Sequence, residues 1–372
     1  VFLSFLPLSH AYEHTAGQFF PISIGAEIYY TDAESLAADL LLARPTMMTA
    51  VPRLYETMHQ RILRGVRRAG GTRARLFHAA VALGRKRYDD PASLGFGERL
   101  ADVVLDLLVR RKVRAGFGGR LKAMVSGGAP LNVEIGLFFA ALGLRILQGY
   151  GQTESAPVVS CNLPFSNRID TVGPPLPGVE VKIAEDGEIL VRGELVMQGY
   201  WRDPEATSAA IQDDWLHTGD IGTLDAAGRL RITDRKKDII VVSGGDNVAP
   251  QKVEGILSLQ PEIAQAMVYG DKRPHLVALI VPDAEFTTGW GRRNGAAGDL
   301  HAVVVDPAFR SAIGEAVERA NRQLSSIERV RRFALVPEGF TIANGMLTPT
   351  LKVRRNRVVE HHAAAIDALY KG

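Results

Sequence analysis

The spacing of apolar residues changes character twice along the chain, and this limits the folds that the sequence can adopt. Up to about Leu147, short apolar strands alternate with longer helical stretches such as Glu98–Val113, where apolar residues recur at helical spacing. From Val172 to Thr233, short strands follow one another, separated by turns. A mixed pattern begins again after Asp234. The sequence therefore predicts an α/β part, a compact β subdomain and an α+β part.

The length and one charged run indicate two domains. At 372 residues the chain exceeds what one hydrophobic core usually supports. The run Asp234–Asp238 precedes Ile239–Val242, which we expect to be a buried strand. We therefore predict domains at 1–234 and 235–372, with the β subdomain at about 172–233.

Composition and the first residues exclude several protein classes. The single cysteine, Cys161, has no partner for an internal disulfide, and no Cys/His cluster has zinc-ligand spacing. The apolar opening Val1–Pro7 is too short to cross a membrane and predicts a buried strand. We expect a soluble, cytoplasmic protein. Because the chain enters directly into this apolar run with valine, we also expect it to be a fragment whose natural chain begins upstream.

The basic residues are clustered, although the net charge is only +3. Such clusters could attract acidic lipid headgroups at the inner membrane surface or a polyphosphate ligand, and solvated helix faces are the alternative. Nucleic-acid binding is not expected, because no aromatic residues are interleaved as stacking platforms. The clustered residues are Arg61, Arg64, Arg67, Arg68, Arg73, Arg75, Arg85, Lys86, Arg87, Arg110, Arg111, Lys112 and Arg114.

Two glycine-containing loops directly follow short apolar strands. Ser126–Pro130 follows the strand candidate Lys122–Val125, and Gln148–Glu154 follows Leu144–Leu147. Neighbouring strand ends that present glycines to one side form the crevice where α/β sheets bind nucleotides. The alternatives are an ordinary turn for the second loop and a helix-start turn at Pro130 for the first.

The second loop carries side chains that suit a nucleotide. Tyr150 offers a flat face to a purine, Thr153 a hydroxyl donor to a phosphate oxygen, and Glu154 a carboxylate to Mg²⁺, which usually takes one or two carboxylates plus substrate phosphates. Further along, Asp220 could accept hydrogen bonds from both hydroxyls of a ribose, with Arg235 as a second contact. An aspartate after glycine is otherwise a plain turn residue.

Together these segments resemble the adenylate-forming synthetases, and within them the long-chain fatty acyl-CoA synthetases. The resemblance implies a large N-terminal domain of α/β layers with a small β-barrel subdomain, present here in part, and a mobile α+β C-terminal domain. The segments that carry it, in the family's order, are Leu6–His14, Val125–Leu131, Gln148–Glu154, Gly199–Thr207, Thr218–Asp220, Asp234–Ile240 with Ser243–Gly245, and Leu347–Arg355.

The resemblance implies an ATP-dependent, AMP-forming ligase that converts a long-chain fatty acid to acyl-AMP with release of pyrophosphate and then to acyl-CoA. ATP, Mg²⁺ and coenzyme A are the implied ligands, with Glu154 on the metal. Gly128 and Tyr150 would frame the adenine, Thr153 would touch the α-phosphate, and Asp220 and Arg235 would hold the ribose. The implied nucleotide site comprises Gly127, Gly128, Ala129, Gln148, Gly149, Tyr150, Gly151, Thr153, Asp220, Ile232 and Arg235.

The resemblance also implies the catalytic groups. Lys352 would stabilise the negative charge that develops on the α-phosphate. Without the resemblance, the sequence would predict only an exposed surface lysine at this position. His10 would lie near the reacting carboxylate, with a packed histidine as the alternative and His14 as a weaker candidate. Asp234 would be the hinge about which the small domain rotates, and Ser243, Gly244 and Gly245 would line the passage for the pantetheine thiol.

The sequence departs from the family pattern in two places. The family's Ser/Thr/Gly-rich loop ending in Pro-Lys-Gly, which grips the β- and γ-phosphates, is not in these 372 residues. We therefore expect the fragment itself to be inactive or nearly so. Leu351 precedes Lys352, where many relatives have glycine.

Two alternatives stay open. The chain could belong to an adenylate-forming ligase for an aryl or short-chain acid, or to one that passes its acyl group to a carrier protein. It could also be a non-catalytic remnant that binds acyl-nucleotides. The sequence leaves the acyl chain length, the pathway and the oligomeric state open.

Overall fold

Two units, Val1–Thr233 and Asp234–Gly372, divide the chain in the computed structural model, which describes residues 1–294, 303–349 and 351–371. Within the described residues, no helix has both the length and the apolar character that a membrane crossing requires. Each unit is built around its own sheet or sheets.

A six-stranded sheet organises the first unit, in the order β2-β1-β3-β4-β5-β6. Strands β1 to β5 run parallel and β6 runs antiparallel to β5. Its central strands are buried, as helices on the faces of a parallel sheet require. The strand predicted in the apolar opening is confirmed as β1. The bounds are β1 Phe2–Ser4, β2 Ile28–Tyr30, β3 Met47–Ala50, β4 Ala123–Ser126, β5 Ile146–Tyr150 and β6 Ser160–Cys161.

Helices connect these strands. The π-helical turns Glu13–Phe19 and Asp106–Arg110 interrupt the regular helices. Two helices, α4 and α7, cross so closely that a Cβ atom on Gly84 would lie 2.3 Å from the carbonyl oxygen of Ala141. The bounds are α1 Phe20–Ser23, α2 Leu36–Ala43, α3 Pro52–Ala69, α4 Gly71–Asp89, α5 Phe96–Leu105, α6 Arg111–Ala115, α7 Val133–Ala141 and α8 Pro204–Ala210.

The predicted helix at Glu98–Val113 exists, but it is broken into α5, the π-helical turn and α6. Its buried residues are Asp102, Leu105 and Arg110, and two of these three are charged. Arg110 is fully buried; its guanidinium donates to the carbonyl oxygens of Ala80 at 2.8 Å and Asp102 at 3.1 Å and pairs with the Asp102 carboxylate at 2.7 Å. These bonds hold the polar side inward. The apolar residues at helical spacing are therefore exposed: Leu100, Val103, Val104, Leu107 and Leu108.

The β subdomain is an open antiparallel sheet in the order β11-β10-β8-β7, with β9 paired to β10. The small barrel expected here does not close among the described residues. The outer edge of β11 is instead occupied by Val172 and Gly173, which exchange 2.8 Å backbone hydrogen bonds with Leu230. The bounds are β7 Glu180–Ile183, β8 Glu188–Arg192, β9 Ile211–Gln212, β10 Trp215–Leu224 and β11 Leu230–Arg235.

The second unit contains a three-stranded sheet in the order β14-β15-β16 and a short hairpin, β12–β13. Every residue of β15 is buried, because an apolar cluster packs on each face of the sheet. Helix α11, Pro307–Asn321, begins where the Asp306 side chain accepts hydrogen bonds from the N–H groups of Ala308 and Phe309.

The strands of this unit are β12 Ile240–Val241, β13 Asn247–Val248, β14 Ile263–Tyr269, β15 Leu276–Pro282 and β16 Val330–Leu335. Its helices within the described residues are α9 Pro250–Ser258, α10 Ala284–Arg293, α11 Pro307–Asn321, α12 Arg355–His361 and α13 Ala363–Ala368.

Candidate functional site

The candidate residues of the first unit follow neighbouring strands of the parallel sheet. His10 lies in the segment that leaves β1, Ser126–Pro130 leaves β4, and Gly151–Glu154 leaves β5. Because β1, β3, β4 and β5 are parallel neighbours, these segments emerge at the same edge of the sheet. The carboxyl edge of such a sheet is where α/β proteins bind ligands.

The two glycines of the Ser126–Pro130 loop are required for different reasons. Gly127 donates its N–H to the carbonyl oxygen of Ala50 at 3.2 Å, and a Cβ atom on it would lie 2.9 Å from the ring of Tyr12. The Tyr12 hydroxyl in turn donates to the carbonyl oxygen of Val125 at 3.0 Å. Gly128 has φ +82°, which favours glycine, and no other residue lies closer than 3.9 Å to its Cβ position. Gly127 therefore serves internal packing, and Gly128 leaves open space.

The predicted purine face and the predicted ribose carboxylate are in direct contact. The hydroxyl of Tyr150, at the end of β5, donates to Oδ2 of Asp220, in β10, at 2.8 Å. Both side chains are half-buried. A nucleoside whose base lies on Tyr150 would thus find an oriented carboxylate beside it.

Asp220 is held by a bulge inside β10 rather than by a turn ahead of a strand. The pairing of β10 with β8 shifts register between His217 and Ile221, and Gly219 has φ +69°. The buried Glu188 accepts the Gly219 N–H at 2.8 Å, and the Asp220 N–H donates to the Thr218 hydroxyl at 3.1 Å. The sequence did not predict this role for Glu188, because a glutamate that follows a turn is common and does not indicate a buried hydrogen-bond acceptor.

Glu154 has a partner that the sequence did not suggest. The hydroxyl of Tyr200 donates to Glu154 Oε1 at 2.9 Å, and this bond to a carboxylate raises the pKa of Tyr200. The Glu154 carbonyl oxygen accepts the Met197 N–H at 2.9 Å. Tyr200 lies in the segment Gly199–Thr207, which carries part of the family resemblance, but that resemblance did not indicate a contact with Glu154.

The donor set at Glu154 fits Mg²⁺ bound mainly by substrate phosphates. Among the described residues, no group of three or more His, Cys, Asp or Glu side chains could hold a metal ion. Magnesium commonly takes one or two carboxylates plus phosphate oxygens and water, so a single half-buried glutamate suffices for a metal that arrives with a nucleotide.

Other residues of the predicted nucleotide site occupy different surroundings. The buried Gln148 uses its side-chain amide within the protein: it donates to the carbonyl oxygen of Ile169 and accepts the Leu131 N–H at 3.4 Å. Gly149 pairs with Cys161 in the β5–β6 ladder, and Ile232 is packed against the core of the β subdomain.

The ring of His10 is fixed at the start of a helix. Its Nδ1 accepts the Tyr12 N–H at 3.2 Å, and its carbonyl oxygen accepts the His14 N–H at 3.0 Å. An Nδ1 that accepts cannot carry a proton, so the neutral ring is protonated on Nε2 and can donate from there. His14, the weaker candidate, is exposed and stacks edge-on against Phe19 at 4.7 Å between ring centroids.

In the second unit, Lys352 is exposed on a tight turn closed by a bridge between Leu347 and Val353. The Thr348 N–H donates to the Lys352 carbonyl oxygen at 2.9 Å, and the Lys352 N–H donates to the Thr348 hydroxyl at 3.0 Å. Leu351 has φ +62°, the conformation that glycine adopts without strain, which gives a physical reason for the glycine expected at this position. The Leu351 side chain packs against the apolar cluster below the turn.

The hinge and passage candidates also lie in the second unit. Asp234 is half-buried and accepts the Arg235 N–H at 2.6 Å; burial raises the pKa of its carboxyl to about 6. Ser243, Gly244 and Gly245 form the exposed turn between β12 and β13, where Gly245 has φ +87°.

Comparison with known proteins gives matches over almost the whole chain. A family model described as AMP-binding enzyme matches residues 1–201, and one described as AMP-binding enzyme C-terminal domain matches 237–372. A long-chain-fatty-acid–CoA ligase (FadD15) of Mycobacterium bovis is 40% identical over 373 residues, which cover 99% of this chain and 62% of the relative. The peroxisomal long chain acyl-CoA synthetase 6 of Arabidopsis thaliana is 35% identical, with 100% and 55% covered.

Solved structures match over the full chain as well. The A-PCP didomain of a carboxylic acid reductase from Segniliparus rugosus, in complex with AMP, is 26% identical with a TM-score of 0.72; the match covers 100% of this chain and 48% of that one. The adenylation domain of a carboxylate reductase from Mycobacterium chelonae, 24% identical, has the same fold, with a TM-score of 0.73 and 100% and 54% covered.

The chain spans about three-fifths of the length of its mycobacterial relatives, 62%, and just over half of the plant one, 55%. Within the chain, the two family models leave only 35 residues between them, 202–236. Both domains of the fold are thus represented in order. The chain belongs to the AMP-binding enzyme family.

Proposed function

We propose that the protein to which this chain belongs is an AMP-forming long-chain fatty acid–CoA ligase. It would activate a fatty acid with ATP to acyl-AMP and pyrophosphate, and then transfer the acyl group to coenzyme A. The observation that carries the proposal is the 2.8 Å hydrogen bond between Tyr150 and Asp220, which brings the side chain proposed to contact the purine next to the one proposed to hold the ribose. The names of the relatives support a long-chain acyl substrate.

In the adenylation step, the protein's side chains orient the substrates and stabilise the charge that develops during the reaction. Tyr150 and Asp220 hold the nucleoside while Thr153, exposed on the turn after β5, donates to the α-phosphate. Glu154 would hold Mg²⁺, which supplies positive charge to the phosphate oxygens. The acid's carboxylate oxygen attacks the α-phosphorus, the bond to the bridging oxygen breaks, and pyrophosphate leaves. Lys352 would neutralise the charge that develops on the α-phosphate oxygens.

His10 would act beside the reacting carboxylate. Its Nε2–H can donate a hydrogen bond to a carboxylate or carbonyl oxygen, because Nδ1 is engaged by the Tyr12 N–H at 3.2 Å. A donor there would hold the acid in the orientation needed for attack and later polarise the acyl carbonyl.

In the second step, the thiol sulfur of coenzyme A attacks the acyl carbonyl carbon, AMP leaves, and a thioester forms. We propose Asp234 as the hinge that exchanges the Lys352 turn for the Ser243–Gly245 turn at the active site. Two of the three passage residues have no side chain, which would allow close approach of the pantetheine arm.

The first test is nucleotide binding to the chain itself. Isothermal titration with AMP should give saturable binding, and Asp220→Asn should weaken it, because an amide accepts hydrogen bonds less strongly than a carboxylate. Asp225→Asn, an exposed aspartate in the neighbouring turn, is the matched control and should leave affinity unchanged. Equal affinity for all three proteins would contradict the assignment of Asp220.

A second test separates the two half-reactions, in a protein that carries this chain together with a β,γ-phosphate loop. Lys352→Ala should abolish acyl-AMP formation yet leave thioester formation from supplied acyl-AMP largely intact. Lys371→Ala, another exposed lysine of the second unit, should change neither rate. Equal loss of both rates in Lys352→Ala would refute the division of labour. A panel of palmitate, benzoate and acetate tests the acid class against the aryl and short-chain alternatives.

We also propose that the 372 residues alone support little adenylation, because they contain no Ser/Thr/Gly-rich loop ending in Pro-Lys-Gly. Pyrophosphate release from ATP, Mg²⁺ and palmitate measures this. Turnover comparable to that of a long-chain ligase would refute it.

Peripheral attachment to an anionic membrane from the cytoplasmic side is a further part of the proposal. Several clustered basic residues are engaged in ion pairs: Arg85 with Glu134, Lys86 with Glu98, Arg87 with Asp102 and Arg114 with Asp106. The attraction would therefore come from exposed arginines on α3 and α4. Binding to anionic liposomes should weaken as salt rises, and salt-independent sedimentation would count against it. These exposed arginines are Arg61, Arg67, Arg73 and Arg75.

A further inference from the structure

A fully buried carboxylate lies three residues after His10. Glu13 has no exposed surface, and its two carboxylate oxygens accept separate hydrogen bonds: Oε1 from the Ser4 hydroxyl at 2.5 Å and Oε2 from the Thr49 hydroxyl at 2.5 Å. The backbone of Phe5 and of Leu6 lowers the pKa of this carboxyl, against the rise that burial causes. Two hydroxyl donors thus hold one buried carboxylate that the proposed chemistry does not use.

These hydroxyls come from the end of β1, where the loop to His10 begins, and from the neighbouring strand β3. Ser4 ends β1, Phe5 and Leu6 begin the segment that leads to His10, and Thr49 lies in β3. Glu13 follows His10 in the helix that the segment enters. Its carboxylate therefore ties the end of the loop back to the beginning and anchors both to the sheet.

The space around Glu13 is fitted to the carboxylate. A Cβ atom on Gly17, one helical turn further on, would lie 2.4 Å from the carboxyl carbon of Glu13. The two hydroxyls can both donate to the ionised form of Glu13, which accepts and does not donate. Burial raises the pKa of Glu13, and the hydrogen bonds from Ser4, Thr49 and the backbone oppose this shift.

We propose that Glu13 is a positioning residue that fixes the imidazole of His10. By closing the loop on itself, the carboxylate sets the helix start at which the Tyr12 N–H engages His10 Nδ1, and this engagement keeps the proton on Nε2. Glu13 does not touch the substrate. The ligand group that His10 contacts is part of the proposed function. The fixed tautomer of His10 does not depend on that proposal.

The direct test is the nitrogen spectrum of histidine-labelled chain, with the His10 signals assigned through His10→Gln. In the parent protein, His10 should show the signature of a single tautomer with Nε2 protonated. In Glu13→Gln, whose amide brings two N–H groups among donors, the signals should move toward the average of the two tautomers. Glu13→Asp, which keeps the charge on a shorter arm, should lie between them.

Milder variants keep the test decisive if Glu13→Gln does not fold. Ser4→Ala and Thr49→Val each remove one of the two hydroxyl donors and should shift the His10 signals in the same direction by less. Asp102→Asn is the matched control, because it alters another buried carboxylate of the same unit, one bound to Arg87 and Arg110. Unchanged His10 signals in every folded Glu13, Ser4 and Thr49 variant, or an equal change in Asp102→Asn, would overturn the proposal.

A ligand experiment separates this inference from the proposed function. The probe is a non-hydrolysable palmitoyl sulfamate of adenosine, compared with AMP, which lacks the acyl group. Glu13→Gln should weaken probe binding about tenfold, the loss expected when a hydrogen bond from His10 to the acyl group is misplaced, and leave AMP binding unchanged. In the His10→Gln background, Glu13→Gln should have no further effect on probe binding; a full additional loss there would overturn the coupling. No binding of AMP to any variant would instead defeat the proposed function, while the nitrogen spectra still decide the role of Glu13.

Discussion

Replacement of Tyr150 by phenylalanine tests whether Asp220 is held for the ribose. The substitution keeps the aromatic face and removes only the hydroxyl that donates to Asp220 at 2.8 Å. A hydrogen bond to a charged acceptor contributes about 1.5–3 kcal/mol, and both groups here are half-buried, so solvent reduces this to about 1–1.5 kcal/mol. At about 1.4 kcal/mol per factor of ten, AMP affinity should fall roughly five- to tenfold.

The ligand supplies the decisive comparison. Isothermal titration with 2′,3′-dideoxy-AMP should show that Tyr150→Phe lowers the affinity for this ligand less than about twofold, because the ligand has no ribose hydroxyls that could donate to Asp220. Tyr150→Ala should weaken both ligands, since it also removes the face on which the base would lie. Tyr200→Phe is the matched control: it removes a phenol bonded to Glu154 at 2.9 Å and should not change AMP affinity without Mg²⁺.

Two results would refute the reasoning. If Tyr150→Phe binds AMP as tightly as the parent protein, the hydroxyl does not orient Asp220 for a ligand. If the penalty is the same for AMP and dideoxy-AMP, the hydroxyl acts on the base or on folding, and the ribose is held elsewhere.

Three further predictions concern stability, measured by urea unfolding of the whole chain. The pKa of Asp234 is raised by burial from 3.8 to about 6, so the ionised carboxyl destabilises the fold above pH 6 and its cost disappears as pH falls below 3.8. Because the side chain is only half-buried and solvent screens its charge, Asp234→Asn should stabilise by about 1 kcal/mol at pH 7–8 and by nothing at pH 3.5. Arg110→Met should destabilise by about 3–5 kcal/mol, because it breaks a buried ion pair, and adding Asp102→Leu should recover part of this loss. Gly84→Ala should destabilise by about 1–3 kcal/mol, since its Cβ would lie 2.3 Å from the Ala141 carbonyl oxygen. No pH dependence of the Asp234→Asn effect, no recovery in the double variant, or an unchanged Gly84→Ala midpoint would each contradict the corresponding argument.

Local patterns were sufficient where the chain itself sets the structure. The apolar run at Leu276–Val281 is strand β15, and Asp306 caps the helix that begins at Pro307, because strand burial and capping depend on neighbouring residues. The two loops after β4 and β5 could be paired in advance, since parallel strands emerge at a common edge. Their positions were thus readable from the sequence.

Contacts between distant residues could not be read in this way. Helical spacing in Glu98–Val113 shows which residues share a face, but it does not show which face is buried. The buried face carries Arg110, because Arg110 donates to the carbonyl oxygen of Ala80, which lies on another helix. Tyr150 and Asp220 are 70 residues apart, and Glu13 meets Thr49 across 36. These pairings follow from the folded sheet and not from any local pattern.

Leu351 illustrates how one position can obey two unlike rules. Its backbone has φ +62°, which glycine and asparagine accept most readily, while its side chain fills part of an apolar cluster. In a saturation scan, position 351 should therefore tolerate glycine, asparagine, leucine and methionine, and reject valine and isoleucine, whose branched Cβ is most hindered at positive φ. A ranking of substitutions by hydrophobic similarity would put valine and isoleucine first, and the turn that carries Lys352 would place them last.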